Sequence, residues 1–159
     1  MTRSSKLDHI DLDIISHLQH DGRKPFTEIA ANVGISEGTV RNRFQRLTSD
    51  QTIQVIGMAD PIQLGFDAPA MIGVSVHPTQ LMNVAEAIAD FEEVSYLIMV
   101  SGEFDLFVEV MCRDRKHLAA FISERIHQIP GIVRTQTFII LRTFKMAYGA
   151  IPILKDKKE

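Results

Sequence analysis

The sequence predicts an α+β protein in two parts: three helices within residues 1–60, then a β-α-β-β-α-β unit over residues 69–159. Two observations carry this. Apolar residues recur at three- and four-residue intervals through 7–50, the spacing of helices with one buried face. From residue 70 the pattern switches to short β-rich apolar runs interleaved with two amphipathic helical segments, the order of a ferredoxin-like split unit. Between the parts, PIQLGFDA (61–68) holds Pro and Gly without a period and reads as a linker.

In the first helix Asp8 is placed as N-cap, with Asp11 favouring the helix start electrostatically. Leu7 and Leu12 are spaced as a hydrophobic staple, and Ile10, Ile14, Ile15 and Leu18 recur at helical spacing up to Asp21-Gly22. A second helix begins near Thr27, after Pro25, buries Ile29, Ala30 and Val33, and stops at Gly34. One residue later Ser36 caps a third helix over 36–48, with Val40, Phe44 and Leu47 inward. IQVIGMA (53–59) alternates like a short strand and ends at Asp60-Pro61.

In the second part AMIGVSVH (70–77) predicts a strand, and TQLMNVAEAIADF (79–91) a helix burying Leu81, Val84, Ala85, Ile88 and Phe91. VSYLIMV (94–100) and DLFVEVMC (105–112) predict two strands joined by a hairpin at Ser101-Gly102-Glu103-Phe104. DRKHLAAFISERIHQI (114–129) predicts a second helix, Pro130-Gly131 its stop, and IVRTQTFIILRTFK (132–145) a long last strand. The only low-complexity stretch is the charged tail KDKKE. The two helices are expected on one face of a four-stranded antiparallel sheet. Its other face is apolar enough to call for another subunit.

Composition bounds the function. The 159 residues are 45% hydrophobic and 23% charged, enough for a core. No apolar run reaches the ~18–20 residues of a membrane span, and MTRSSKLDHIDLD lacks a signal core. Cys112 is the only cysteine, which excludes an internal disulfide or a multi-cysteine metal site and fits a reducing cytoplasm.

The net charge is −3, from 17 Lys+Arg and 20 Asp+Glu, so there is no global attraction to nucleic acid. Yet Arg41, Arg43 and Arg46 crowd one helix. Residues 1–60 as a whole hold seven basic and eight acidic residues, so the positive charge is local: on this helix, at Arg23-Lys24 and at the N-terminus. Two helices joined by a tight glycine turn form a helix-turn-helix, whose second helix enters the DNA major groove. With Val40, Phe44 and Leu47 inward, Gly38, Asn42 and Gln45 face out, flanked by Arg41 and Arg46. Asn and Gln suit adenine edges; Arg suits guanine edges or phosphate. Ser36, Glu37, Gly38, Thr39, Arg41, Asn42, Arg43, Gln45 and Arg46 are therefore the candidate DNA-binding residues. Glu37, Gly38, Arg41 and Asn42 are assigned to bases, and Arg43 and Arg46 to phosphates.

Several segments together resemble the leucine-responsive/asparagine-responsive (Lrp/AsnC) family of bacterial and archaeal transcription regulators. They are LDHIDLDIISHLQHDGR (7–23), EIAANVGIS (28–36), TVRNRFQRL (39–47), IQVIG (53–57), VSGEFDLFVEV (100–110), IPGI (129–132) and TQTFIIL (135–141). The resemblance covers nearly the whole chain. It implies a winged helix-turn-helix in the first domain and a ferredoxin-like second domain that dimerises, often builds octamers, and binds amino acids or related metabolites. The implied partners are double-stranded DNA, a small amino-acid effector and further copies of the chain as dimer, tetramer or octamer, without a cofactor, in the cytoplasm at the nucleoid. The family hairpin commonly reads Gly-Asp-Phe-Asp; here Glu103 stands in place of the first aspartate, so ligand preference does not transfer.

An amino acid needs acceptors for its ammonium and donors for its carboxylate. Ser101, Gly102, Glu103, Phe104 and Asp105 offer both kinds, and Gly102 can take positive φ. The same five residues also suit a plain hairpin turn with solvated acids. The resemblance points to this hairpin as an effector pocket, completed by the last strand of a neighbouring subunit. Thr135 and Thr137 are chosen there; Arg134 and Gln136 face the other way.

Other constellations mislead. His9, Asp13, His17 and His20 share one helix face like a metal site, but it is the solvated face opposite Ile14 and Leu18, and no metal site is assigned. Met71, Met82, Met99 and Met111 lie in apolar runs and read as core. His77, His117 and His127 have no catalytic partner, and Ser101 beside Asp105 has no positioned His. The chain reads as no enzyme. The competing readings are a siroheme-decarboxylase-like enzyme on the same architecture and a DNA-compacting protein of low specificity.

Overall fold

A computed structural model describes residues 7–146. Arg3 and Lys6, the basic residues of the N-terminus, and the KDKKE tail lie outside the described residues. The described residues divide into two compact units, one of residues 7–58 together with Lys145 and Met146 and one of residues 59–144.

The first unit holds α1 (His9–His20), α2 (Phe26–Val33) and α3 (Glu37–Ser49). Asp8 caps α1 in a full capping box: its carboxylate accepts from Asp11 N, and the Asp11 carboxylate accepts from Asp8 N. Gly34 ends α2 in the left-handed region at φ 76°, a conformation costly for any residue with a β-carbon. Ser36 then caps α3 by accepting from Thr39 N. Ile14, Ile15, Leu18, Ile29, Ala30, Val40 and Leu47 form the core. Phe26 and Phe44 pack at its side with ring centroids 5.1 Å apart.

The expected strand over 53–59, the wing of the fold, is not formed with any described segment. Val55, Ile56 and Met58 are exposed. Their alternation marks a stretch that suits a sheet, but a strand exists only where a second one takes up its N–H and C=O groups. The stretch over 61–68, expected as a linker, contains a hydrogen-bonded turn in which Leu64 N and Phe66 N both donate to Pro61 O. Its last residue, Ala68, already belongs to the first strand.

The second unit contains β1 (Ala68–Val76), α4 (Leu81–Ala89), β2 (Val94–Met99), β3 (Leu106–Cys112), α5 (Arg115–Ala120) and β4 (Ile132–Ile139). The sheet is antiparallel in the order β2-β3-β1-β4, the split β-α-β-β-α-β arrangement expected. A 3-10 turn over Pro78–Gln80 leads into α4. The second predicted helix is interrupted: α5 passes into a π turn over Phe121–Arg125 and a 3-10 turn over Ile126–Gln128. β4 is shorter than the predicted 132–145. It pairs only with β1, and past Ala70↔Ile139 its neighbour is Pro69, which accepts from Ile140 N but has no N–H to return.

Strand alternation sorts the sheet into two faces. Ala70, Ile72, Val74, Leu106, Val108 and Val110 form the core with Val84, Ile88, Leu118 and Phe121 of the helical segments. The register places Met71, Gly73, Phe107, Ile98, Tyr96 and Phe138 on the other face, where Tyr96 and Phe138 are exposed.

Candidate nucleic-acid interface

Pinned by Gly34 and capped by Ser36, α3 turns Val40 and Leu47 into the core and leaves Gly38, Thr39, Arg41, Asn42 and Gln45 exposed. Gly38, Arg41 and Asn42, predicted for base contact, are thus exposed, while Glu37, assigned with them, is half-buried. Arg41 donates to Glu37 at 2.6 Å, an exposed pair one turn apart, and its guanidinium lies 5.4 Å from the Phe26 ring centroid. Such a pair is worth only ~0.3–0.5 kcal/mol, so Arg41 is free to exchange partners.

Arg43 and Arg46 are engaged from behind. Arg43 Nη1 lies 2.8 and 2.7 Å from the two Asp8 carboxylate oxygens and 2.8 Å from Asp11 Oδ1. Arg46 Nη2 donates to the same Asp11 oxygen at 2.6 Å. The Asp11 side chain is 1% exposed and that of Asp8 is 45% exposed. The hydrogen bond from Arg43 holds the Asp8 carboxyl below its ordinary range. Burial pushes the Asp11 carboxyl up, but hydrogen bonds from Arg46, Arg43 and the Asp8 N–H outweigh it and leave it lowered. The same contacts raise Arg43. Each arginine of α3 thus has an acidic partner: Glu37 for Arg41, Asp8 and Asp11 for Arg43, and Asp11 for Arg46. The concentration of arginine on one helix is in part an internal matter, joining α3 to the start of α1. A cleft of about 370 Å³ opens here, lined by Asp8, Thr39, Asn42, Arg43 and Arg46.

In the second unit, Ser101, Gly102 and Glu103 are exposed and Phe104 is buried. Gly102 does not take positive φ; among the described residues only Gly34, Gly65, Gly131 and Gln51 do. Asp105 ties into the scaffold through its backbone and one carboxylate oxygen. Its Oδ2 accepts from Val76 N at 2.8 Å and its N–H donates to Val74 O, while its carbonyl accepts from Val100 N. Thr135 and Thr137 pair with Val74 and Ile72, which places them on the helix-covered face. Thr135 Oγ1 lies 2.8 Å from His127 Nε2. Within one chain they do not meet the hairpin. The β4 residue that does is Arg134, which donates to Glu103 Oε1 at 2.8 Å and stacks over Phe104 at 5.1 Å.

Of the residues set aside as a metal candidate, His17 and His20 have local partners. His20 Nδ1 bonds Ser16 O at 2.7 Å, and Lys24 Nζ lies 3.3 Å from His17 Nδ1. Burial pushes the Cys112 thiol up to about 11, aided by the charges of Glu93 and Asp114, which leaves it inert at neutral pH.

Two family patterns match in register with these units. The AsnC-type helix-turn-helix domain matches residues 7–48, and the Lrp/AsnC ligand binding domain matches residues 69–150. An HTH-type transcriptional regulator of Pyrococcus horikoshii is 34% identical over 151 residues, covering 94% of this chain and 96% of that protein. The chain belongs to the Lrp/AsnC family. Its fold matches the leucine response regulatory protein of Mycobacterium tuberculosis with a TM-score of 0.83 at 28% identity, over 92% of this chain and 100% of that one. It also matches a Neisseria meningitidis regulator solved as a complex with L-Met, with a TM-score of 0.82 at 21% identity, over 92% and 97%.

As an Lrp/AsnC protein the chain is a DNA-binding transcriptional regulator, and the helix-turn-helix match begins at Leu7, one residue before the acid that holds Arg43. Sequence reading missed that role for Asp8 and Asp11. The signal was present: Asp11 falls on the stripe of Ile14, Ile15 and Leu18, and an acid on a buried stripe requires a cation. Arg134 was missed because Thr135 and Thr137 were preferred on the opposite face of β4.

Proposed function

We propose that the protein reads paired DNA half-sites as a homo-oligomer and adjusts its assembly or DNA affinity to an amino acid held at the Ser101–Asp105 hairpin. The observation that carries the DNA part is the exposed face of Gly38, Thr39, Arg41, Asn42 and Gln45 on a helix fixed by a left-handed glycine and a serine cap. One such helix offers few contacts. A two-fold dimer presents two helices to half-sites about one helical turn, or a multiple, apart. Tyr96, Ile98, Phe107 and Phe138 on the outer face of the sheet, which also carries Glu109, support pairing between copies.

Support for an effector comes from the match to a ligand binding domain over residues 69–150 and from the Neisseria relative solved with L-Met. The regulator works on chromosomal DNA in the cytoplasm and needs no cofactor for this. The test is to crosslink cells, purify the protein and sequence the attached DNA. Few, defined sites with a two-fold consensus are expected; a uniform spread over the genome would sink the reading in favour of an architectural protein. Sedimentation at micromolar concentration checks the assembly, and a monomer there would defeat the dimer.

A further inference from the structure

We propose that Asp8 is a tethered competitor for DNA: its carboxylate occupies the face of Arg43 that a backbone phosphate takes, and DNA of any sequence has to displace it. The inference rests on the reading of α3 as the DNA-facing helix. The two acids that hold Arg43 are not equivalent. Asp11 is buried and shared with Arg46, so it cannot leave without stranding a charge in the core. Asp8 is 45% exposed and sits at the edge of the cleft whose other lining residues, Thr39, Asn42, Arg43 and Arg46, all belong to α3.

An anion entering that cleft finds a threonine hydroxyl and two guanidinium groups, and it also finds a carboxylate already there. Carboxylate and phosphate present the same pair of oxygens to a guanidinium. Two anions on one cation repel each other, so one gives way. With Asp8 in place, two arginines face two acids and the cluster is neutral. With Asp8 turned outward, it carries one positive charge at the protein surface. The acid thereby lowers affinity for every duplex, which fits a chain whose first sixty residues hold seven basic and eight acidic side chains.

Asp8 also caps α1, accepting from Asp11 N at 2.9 Å. Asn and Ser cap as well as Asp does, so the charge can be removed while the helix start is kept. The experiment uses the full chain as wild type, Asp8→Asn and Asp8→Ser, each also in an Arg43→Gln background. Binding is followed by fluorescence anisotropy on two duplexes: one enriched by the wild-type protein from a random pool, and a scrambled version of it. Salt is varied between about 50 and 200 mM. Both single replacements should tighten binding to both duplexes by roughly two- to fivefold, the size of one exposed ion pair released. The slope of log K against log salt should steepen by about 0.9, one added phosphate contact. In the Arg43→Gln background the gain should vanish. Unchanged or weaker binding would make Asp8 a support for Arg43 and overturn the proposal. So would a gain that persists without Arg43, or loss of folding in both Asp8 variants. A wild-type protein that binds neither duplex would defeat the DNA reading itself.

Discussion

The ring of Phe104 lies against the backbone of Gly73, so close that a β-carbon on that glycine would meet three ring atoms at 2.8–2.9 Å. Phe104 is the one hairpin residue of Ser101–Asp105 classed as buried hydrophobic, and Gly73 is what lets it fold back over the sheet. Two effects oppose each other in Gly73→Ala. Alanine in a strand is favoured over glycine by ~0.5–1 kcal/mol, whereas forcing an atom into a packed aromatic contact costs ~1–3 kcal/mol. The steric effect wins, and urea unfolding should show net destabilisation. Phe104→Ala alone should cost ~3 kcal/mol, and the double replacement less than the sum of the two. Strict additivity would mean that the ring moves aside freely.

Asp11 should be the acid on which the first unit's stability most depends. Removing it leaves Arg43 and Arg46 without their buried partner. Both arginines reach solvent, so Asp11→Ala should cost about 2–3 kcal/mol, below the ~3–5 of a fully buried pair. The carboxyls of Asp8 and Asp11 both titrate below their ordinary value of 3.8 when folded. Their contribution to stability is therefore fully present above that value and is lost as pH falls through the lowered folded values. Far-UV circular dichroism against pH should show an acid transition below about 4 that is weakened in Asp11→Asn, which keeps the shape of the side chain without the charge. An identical acid transition in Asp11→Asn would show that other carboxylates govern it.

Base reading is predicted for the residues of α3 that the first helix does not hold. Arg41→Ala or Asn42→Ala should cost ~1–3 kcal/mol at a specific site and relax base preference at one position. Arg46→Ala should act evenly across sequences and reduce salt dependence. Gel-shift titration on operator and single-base variants measures both. If neither Arg41 nor Asn42 matters, α3 enters the groove by another face.

Both units were legible in the sequence because each declares itself locally. The period of Ile14, Leu18, Ile29 and Val40, the caps at Asp8 and Ser36, and the turn at Gly34 are contacts among near neighbours. The switch to alternating strands from Ala70 is equally local. What the sequence hid depends on distance. Arg43 and Arg46 meet acids 32 to 35 residues away, and Arg134 meets Glu103 across 31 residues. The pattern at 53–59 promised a strand because alternation reports what a segment would bury, not whether a partner strand lies beside it. The scaffold contact of Asp105 was hidden because nothing in its neighbours reveals the Val76 N–H it accepts.

That last contact makes the two hairpin acids, Asp105 and Glu103, unequal partners for an amino acid. Asp105 holds the end of β1 through one carboxylate oxygen and has the other left for a ligand, so Asp105→Ala should lower thermal stability along with any response. Glu103 and Arg134 are different. They form an exposed pair at 2.8 Å, with side chains 70% and 51% exposed, and such pairs are worth no more than ~1 kcal/mol. An amino acid carries both charges and can replace each partner for the other, its ammonium on Glu103 and its carboxylate on Arg134. Phe104 lies beside the pair, under the Arg134 guanidinium. Calorimetry with each of the twenty amino acids on wild type, Glu103→Gln, Arg134→Ala and Asp105→Ala is the measurement. Glu103→Gln and Arg134→Ala should each weaken binding by ~1–3 kcal/mol while leaving the melting temperature unchanged, because a charge-assisted hydrogen bond is lost from an exposed site. Equal binding by wild type and both variants would place the effector elsewhere, and no binding by wild type would leave the segment as a plain hairpin turn.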